Sequence, residues 1–292
     1  MDRSLTPKQV AQAIGVSEAS LKRWCDKGLV RAVRTEGGHR RMAVEDVLEF
    51  LRSTGRRPLH ADLLQLPVVR SATSLTLEES IRNLTEGLLA GDEDLALRVV
   101  FDLYLAKTSV CDIGDRVIVE AMRSIGERWS NHDVEPYQER RACEICGHIL
   151  SQLRALIPIL SETAPLAIGG TLSGDAYRMP TLLIELVLRE AGWRAESFGT
   201  GLPAETLCAA METLRPKLFW LSVSHIGSMS EFLERYNLIY ECSQKLKIFI
   251  VVGGHALDAD VRRQMQYNAF CDSLRHLVNF VAGTNLARPL VG

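Results

Sequence analysis

A chain of 292 residues exceeds the usual length of a single domain, so two or three are expected, each with its own core. Its apolar content of 47% supports compact folding, no run reaches the roughly 18 apolar residues that span a bilayer, and the first residues lack a basic-then-apolar leader, so a cytoplasmic protein without membrane partners is expected. The net charge of −2 conceals an asymmetry: residues 1–60 hold 12 Lys/Arg against 7 Asp/Glu and the remainder 22 against 29, which makes the N-terminal part the candidate polyanion binder.

In that first segment Thr6-Pro7-Lys8-Gln9 reads as a helix start, with Thr6 as cap, Pro7 at the first helical position and Gln9 completing a capping box. Val10, Ala13 and Ile14 form the apolar side, and Gly15-Val16 breaks the helix. Ser17 then caps a second helix in which Leu21, Trp24 and Cys25 recur at helical spacing before Gly28 supplies a left-handed stop. Burying Leu21 and Trp24 turns Ser20, Lys22 and Arg23 outward, as a recognition helix requires. Residues 29–33 read as a strand, Glu36-Gly37-Gly38 as a hairpin tip, and His39-Arg40-Arg41 as a returning strand rich in donors, which together make a wing.

These residues resemble the MerR family of winged helix-turn-helix regulators, most specifically at Leu21-Lys22-Arg23-Trp24, Asp26-Lys27-Gly28-Leu29 and Gly38-His39-Arg40-Arg41. The resemblance implies a double-stranded DNA operator as partner, contacted by Ser20, Lys22, Arg23, His39, Arg40 and Arg41. Wing arginines are expected on phosphates, and Lys22 and Arg23 toward base edges. A solvated charged turn is the alternative for Arg40 and Arg41, and capping or packing for Ser20; Trp24 is expected in the core.

Residues 56–76, with Pro58, Pro67 and a short apolar patch at Leu63, Leu64 and Leu66, read as a tether holding one helical turn, which separates a head (1–55) from a helical middle (77–160). There the apolar residues follow helical periods: Leu77, Ile81, Leu84, Leu88; Leu95, Val99, Leu103; Val117, Val119, Met122, Ile125; and Ile145, Ile149, Leu153, Leu156. Four antiparallel helices are expected, with boundaries at Gly91-Asp92, at residues 109–112 and at Pro136. Cys143 and Cys146, like the other five cysteines, are expected to pack as reduced thiols: no second ligand pair for zinc is found, and Gly147 stands where haem attachment needs histidine.

Residues 166–171, 194–198, 218–222 and 248–252 read as strands, with helices near 181–191, 204–213, 230–244 and 259–266 between them. Such alternation predicts a doubly wound α/β parallel sheet, Rossmann-like or flavodoxin-like, over residues 161–292, whose ligand site lies past the carboxyl ends of the strands. Asp175-Ala176-Tyr177-Arg178-Met179-Pro180 falls just past the first strand; Ser222-Val223-Ser224 and Gly253-Gly254 follow after 41 and 28 residues, each past another strand.

Those three pieces resemble the fingerprint of cobalamin-binding domains, Asp-x-His-x-x-Gly, Ser-x-apolar and Gly-Gly, with tyrosine in place of the cobalt-ligating histidine. Trp129, followed after nine residues by Glu139-Arg140, extends the likeness to the light-responsive, cobalamin-dependent MerR-type repressors of carotenoid genes (the CarH/CarA type), where a Trp and a Glu-His pair lie over the corrin. The resemblance implies adenosylcobalamin as cofactor. Trp129, Glu139 and Arg140 would lie above it and Asp175, Tyr177, Ser222, Ser224, Gly253 and Gly254 below, with Ser222 and the glycine pair meeting the benzimidazole tail. It also implies a homo-oligomer, dimer or tetramer, presenting several heads to repeated half-sites.

The departures point the other way. A guanidinium has no free lone pair for a metal, so Arg140 either pairs with Glu139 or Glu135 or faces an anion. Tyr177 replaces imidazole with a phenol, a poor cobalt ligand, and Pro180 removes an amide donor. No metal ligand set is therefore expected. The expected function is a non-enzymatic, DNA-binding repressor that no longer ligates cobalt and is blind to light and cobalamin. Alternatives are a sensor holding a corrinoid loosely or another planar ligand, an antirepressor pairing with a regulatory partner protein, and, least favoured, a corrinoid methyltransferase component.

Overall fold

The computed structural model describes residues 4–56, 58–64, 75–157 and 160–284. Contacts divide the chain into two compact units, Met1–Pro158 and Ile159–Gly292.

The first unit begins with β1 (Ser4–Leu5), α1 (Pro7–Ile14), α2 (Glu18–Asp26), β2 (Val33–Arg34), β3 (Arg40–Ala43) and α3 (Val44–Thr54). Thr6 and Gln9 form the reciprocal capping box that their spacing predicts, the Gln9 amide donating to Thr6 Oγ1 at 3.2 Å and Gln9 Oε1 accepting the Thr6 amide at 2.9 Å. Thr6→Ala is expected to destabilise the head by about 1 kcal/mol, measurable as a lower unfolding midpoint. Gly15 and Gly28 both take left-handed φ of 70°, closing α1 and α2. Val10, Ala13, Ile14, Leu21, Met42, Val47, Leu48 and Leu51 are buried, Met42 on the middle strand of a small antiparallel sheet of order β1-β3-β2.

Two head expectations need correction. The strand expected at 29–33 is confined to Val33–Arg34: the Leu29 amide donates to the Trp24 carbonyl at 2.9 Å, so the chain after Gly28 completes the helix stop and leaves Leu29 exposed. Trp24 is half-buried, its ring 5.1 Å from Phe50 and covered by the Arg56 guanidinium at 5.0 Å. β1 was not legible, because two residues carry no periodicity.

Of the tether, the described part holds a 3-10 turn at Ala61–Leu64, while Leu66 and Pro67 lie outside the described residues. The head does not float free of the helices that follow. The Arg52 guanidinium lies 3.8 Å from the Tyr104 ring centroid and Lys107 Nζ donates to the Ser53 carbonyl at 3.0 Å.

The middle helices are α4 (Leu77–Ala90), α5 (Glu93–Leu105), α6 (Val110–Ile113) running through a π turn at Gly114–Ile118 into α7 (Val119–Ser130), and α8 (Pro136–Arg154). Gly91 (φ 78°) and Asp92, whose Oδ1 accepts the Leu95 amide at 2.8 Å, make the α4–α5 boundary, and Ser109 caps α6. The third apolar row needs correction: the widened turn shifts the register, so Val117 and Ile118 are buried while Val119 faces solvent.

The second unit alternates β4 (Leu166–Gly170), α9 (Arg178–Glu190), β5 (Arg194–Ser197), α10 (Ala204–Leu214), β6 (Leu218–Ser222), α11 (Met229–Leu246), β7 (Phe249–Gly253), α12 (Ala259–Arg262), β8 (Ala269–Phe270) and α13 (Leu274–Gly283). All strands are parallel, in the order β5-β4-β6-β7-β8. The chain therefore is multidomain, with a winged helix-turn-helix, a four-helix arrangement and a flavodoxin-like doubly wound sheet. The last strand and helix escaped the sequence reading: β8 has two residues, and α13 follows it directly from its Ser273 cap.

Alternation along the strands splits the interior into two layers. Ile168, Phe219, Leu221, Ile250 and Val252 pack toward Leu207, Met211, Tyr236 and Ile239 of α10 and α11, while Ala167, Leu218, Trp220 and Val251 pack toward Leu188 of α9 and Leu277 and Val281 of α13. Strand order reverses at β4, which places the crevice between the carboxyl ends of β4 and β6.

Candidate DNA-binding head and sensory site

In the head, the start of α1, the exposed side of α2 and the wing enclose a hollow of about 570 Å³. Lys8, Lys22, Arg34, His39, Arg40 and Arg41 line it, with Glu18 as the acidic member. Five of these are full cations, so the net field is positive. Lys22 Nζ lies 2.9 Å from Glu18 Oε1 on an exposed surface, a contact of little stability that phosphate can replace. Arg41 is exposed. Arg40 is not the free wing cation that the sequence suggests: it is largely covered and ion-paired with Asp26 at the end of α2, so it ties wing to recognition helix. Ser20 belongs to the cap network of α2, its amide donating to Ser17 Oγ at 3.2 Å and its hydroxyl accepting from Arg23 Nη2 at 3.2 Å. Lys8 and Arg34 were missed; the signal was there, in a lysine one residue inside a helix start and an arginine opposite Arg40 in the hairpin.

On the helical middle, Trp129 closes α7 half-exposed, and Glu139 and Arg140 stand in the first turns of α8. Arg140 is exposed and, among the described residues, pairs with neither Glu139 nor Glu135; Glu139 instead accepts from Cys143 Sγ at 3.3 Å. Neighbouring Arg141 is the inward arginine, reaching the Leu89 carbonyl at the α4–α5 turn. Cys146 is buried and Cys143 half-buried. Burial, then the Glu139 carboxylate, pushes the Cys143 thiol up to about 12, and burial pushes Cys146 up to about 12, so both resist forming the thiolates that metals need.

In the α/β unit the three motif pieces converge. Asp175 is 3% exposed, and both oxygens of its carboxylate are engaged by backbone: Oδ1 accepts the Tyr177 amide at 3.0 Å, and Oδ2 accepts the amides of Ser224 at 2.6 Å and His225 at 3.3 Å. Its own carbonyl accepts from Thr171 Oγ1 at 2.6 Å, and Thr171 Oγ1 accepts the Gly201 amide at 2.9 Å. One acid therefore fastens the loop after β4 to the loop after β6. Tyr177, 46% exposed, sits at the N-cap position of α9 without a side-chain cap bond, its ring set edge-on to His255 with centroids 6.2 Å apart. His255 was missed, although it directly follows the glycine pair.

Beside Asp175 a hollow of about 200 Å³ opens between the two loops and the start of α11, with Ser222 and His225 in its wall. The glycine pair serves the chain's own backbone. A Cβ on Gly253 would stand 2.3 Å from the Cys271 carbonyl oxygen, and one on Gly254 (φ 121°) would stand 2.1 Å from that of Val223.

Residues 4–55 match the family model of a helix-turn-helix domain, and residues 80–154 that of a B12 binding domain. Over 242 residues, 78% of this chain and 80% of the relative, the sequence is 26% identical to the HTH-type transcriptional repressor CarA of Myxococcus xanthus. It is 30% identical over 139 residues to the HTH-type transcriptional repressor CarH of the same organism, 46% of this chain and 44% of that one. Among solved structures, the monomethylamine corrinoid protein of Methanosarcina barkeri shares the fold, with a TM-score of 0.59 and 14% identity over 71% of this chain and 99% of that one.

Proposed function

We propose that this chain, a regulator of the CarA/CarH type joining a helix-turn-helix domain to a B12 binding domain, represses transcription from double-stranded operator DNA without holding cobalt through a protein ligand. Lys8, Lys22, Arg34 and Arg41 hold phosphates, and Arg23 on α2 faces the major groove. Association of several chains presents several heads at once, and linked weak contacts become tight ones.

The observation that carries the cobalt part is the bonding of Asp175. In the resembled family this acid orients a histidine beneath the metal; here both oxygens are taken by backbone amides, and the ligand position offers a phenol. Arg140 replaces the upper histidine with a group that cannot donate a lone pair. The donor set therefore does not fit a protein-ligated cobalamin, and the sensory unit acts as a scaffold for oligomerisation.

Electrophoretic mobility shifts of the full chain on its operator, in dark and in light, with and without adenosylcobalamin, test this reading. Equal affinity in all four conditions is expected. A corrinoid retained through purification, with imidazole-ligated absorbance and light-dependent DNA release, would overturn it; loss of that absorbance in His255→Ala would then identify the ligand.

A further inference from the structure

Beneath Ser222, the layer between sheet and α9 is filled by one ring. Leu218, Trp220 and Ser222 share a face of β6, so whatever enters under Ser222 on that face must occupy the place of Trp220. Trp220 is 1% exposed. Trp220 packs closely on Gly169, its register partner on β4: a Cβ at Gly169 would stand 2.2 Å from the Trp220 carbonyl oxygen, 2.3 Å from Cδ2 and 2.4 Å from Cγ. The indole Nε1 donates to Thr181 Oγ1 at 2.9 Å, and Thr181, fully buried in the first turns of α9, lies 3.0 Å from Ser197 Oγ at the end of β5. The ring thus has an apolar floor, a polar latch and a residue without a side chain beneath it, and it ties β6, α9 and β5 together directly below the crevice.

We infer that Trp220 is a specificity-determining residue: its indole permanently occupies the slot between β4, β6 and α9, so the α/β unit excludes any ligand that must insert a heteroaromatic base there and admits only groups that stay outside the strand ends. The inference rests on the proposed function and deepens it, since a cobalamin whose benzimidazole tail is to be buried beside Ser222 meets the indole first. The latch through Thr181 also packs the start of α9 against β6. Within the slot itself, the indole N–H and the Thr181 hydroxyl already have partners in the chain.

Equilibrium dialysis of the full-length protein with 5,6-dimethylbenzimidazole, and separately with indole, tests the slot. The wild-type chain is expected to take up neither. Trp220→Gly opens an apolar cavity with the Thr181 hydroxyl in its wall, still bonded to Ser197 but relieved of the indole donor; both probes are expected to bind it saturably and to raise its unfolding midpoint by several degrees, with no shift in the wild type. Saturable uptake of dimethylbenzimidazole by the wild type, with quenching of tryptophan fluorescence, would overturn the inference even if the glycine variant failed to fold. A folded Trp220→Gly that bound neither probe would overturn it too. Light-dependent operator release by a wild-type chain that excludes the base would overturn the proposed function and leave the slot assignment standing.

Discussion

Replacing Asp175 by alanine is expected to destabilise the α/β unit by about 4 kcal/mol, because a buried carboxylate accepting three amides cannot be removed without leaving those donors unpaired. Each amide then loses a charge-assisted bond in a place that water reaches poorly, and the loops after β4 and β6 lose their common fastening. Denaturant unfolding of the full chain should show a lower midpoint. Asp175→Asn, which keeps one acceptor oxygen but presents an NH₂ donor to the remaining amides, should recover only part of the loss. Were Asp175 held in reserve for a histidine and a metal, the alanine change would alter ligand affinity and leave the apo stability near that of the wild type. The two outcomes separate a structural clasp from an idle ligand-orienting group.

The second large effect is on DNA. Alanine at Lys8, Lys22 and Arg41 together removes three cations from the hollow between α1, α2 and the wing while sparing Arg40, which is paired with Asp26. Operator affinity should fall by about two to three orders of magnitude at physiological salt. The slope of log K against log salt should become shallower by about 2.7, at roughly 0.9 per lost phosphate contact. Arg40→Ala should behave differently, lowering the thermal stability of the head as well as affinity, since it breaks a contact between wing and recognition helix. If the triple variant bound operator with an unchanged salt slope, the hollow would not be the phosphate-binding face. Changes confined to Arg23 should alter preference among operator sequences more than the salt slope.

Much of this was open to reading from residue order alone. The capping box at Thr6 and Gln9, the stops at Gly28 and Gly91, and the Pro136 helix start are set by residues within four positions of one another, so local chemistry specifies them wherever the chain goes. Strands β4, β6 and β7 were legible because parallel strands buried on both faces are continuous apolar runs. The three motif pieces were legible as a site because they fall at the same end of such strands. Of the elements that escaped, β1, β8 and the π turn are short or break a period, and their existence depends on a partner strand or on packing; α13, whose Leu274, Leu277 and Val281 do keep a helical period, was passed over with the strand before it.

Residue order determined the architecture of the protein: which segments coil, which extend, and that a basic head precedes a doubly wound sheet. It also determined that positions 177 and 140 carry a phenol and a guanidinium, which no folding converts into an imidazole. Tertiary structure alone decided how the remaining groups are used. Asp175 meets amides 49 and 50 residues away, Arg40 meets Asp26, and Trp220 lies on Gly169 and bonds to Thr181, 39 residues before it. These pairings depend on the order of strands and on which face a side chain takes, and the energy of a buried polar group depends on the partner it finds there. A motif therefore states which atoms are present, and only the packed chain states which of them are still free to bind something else.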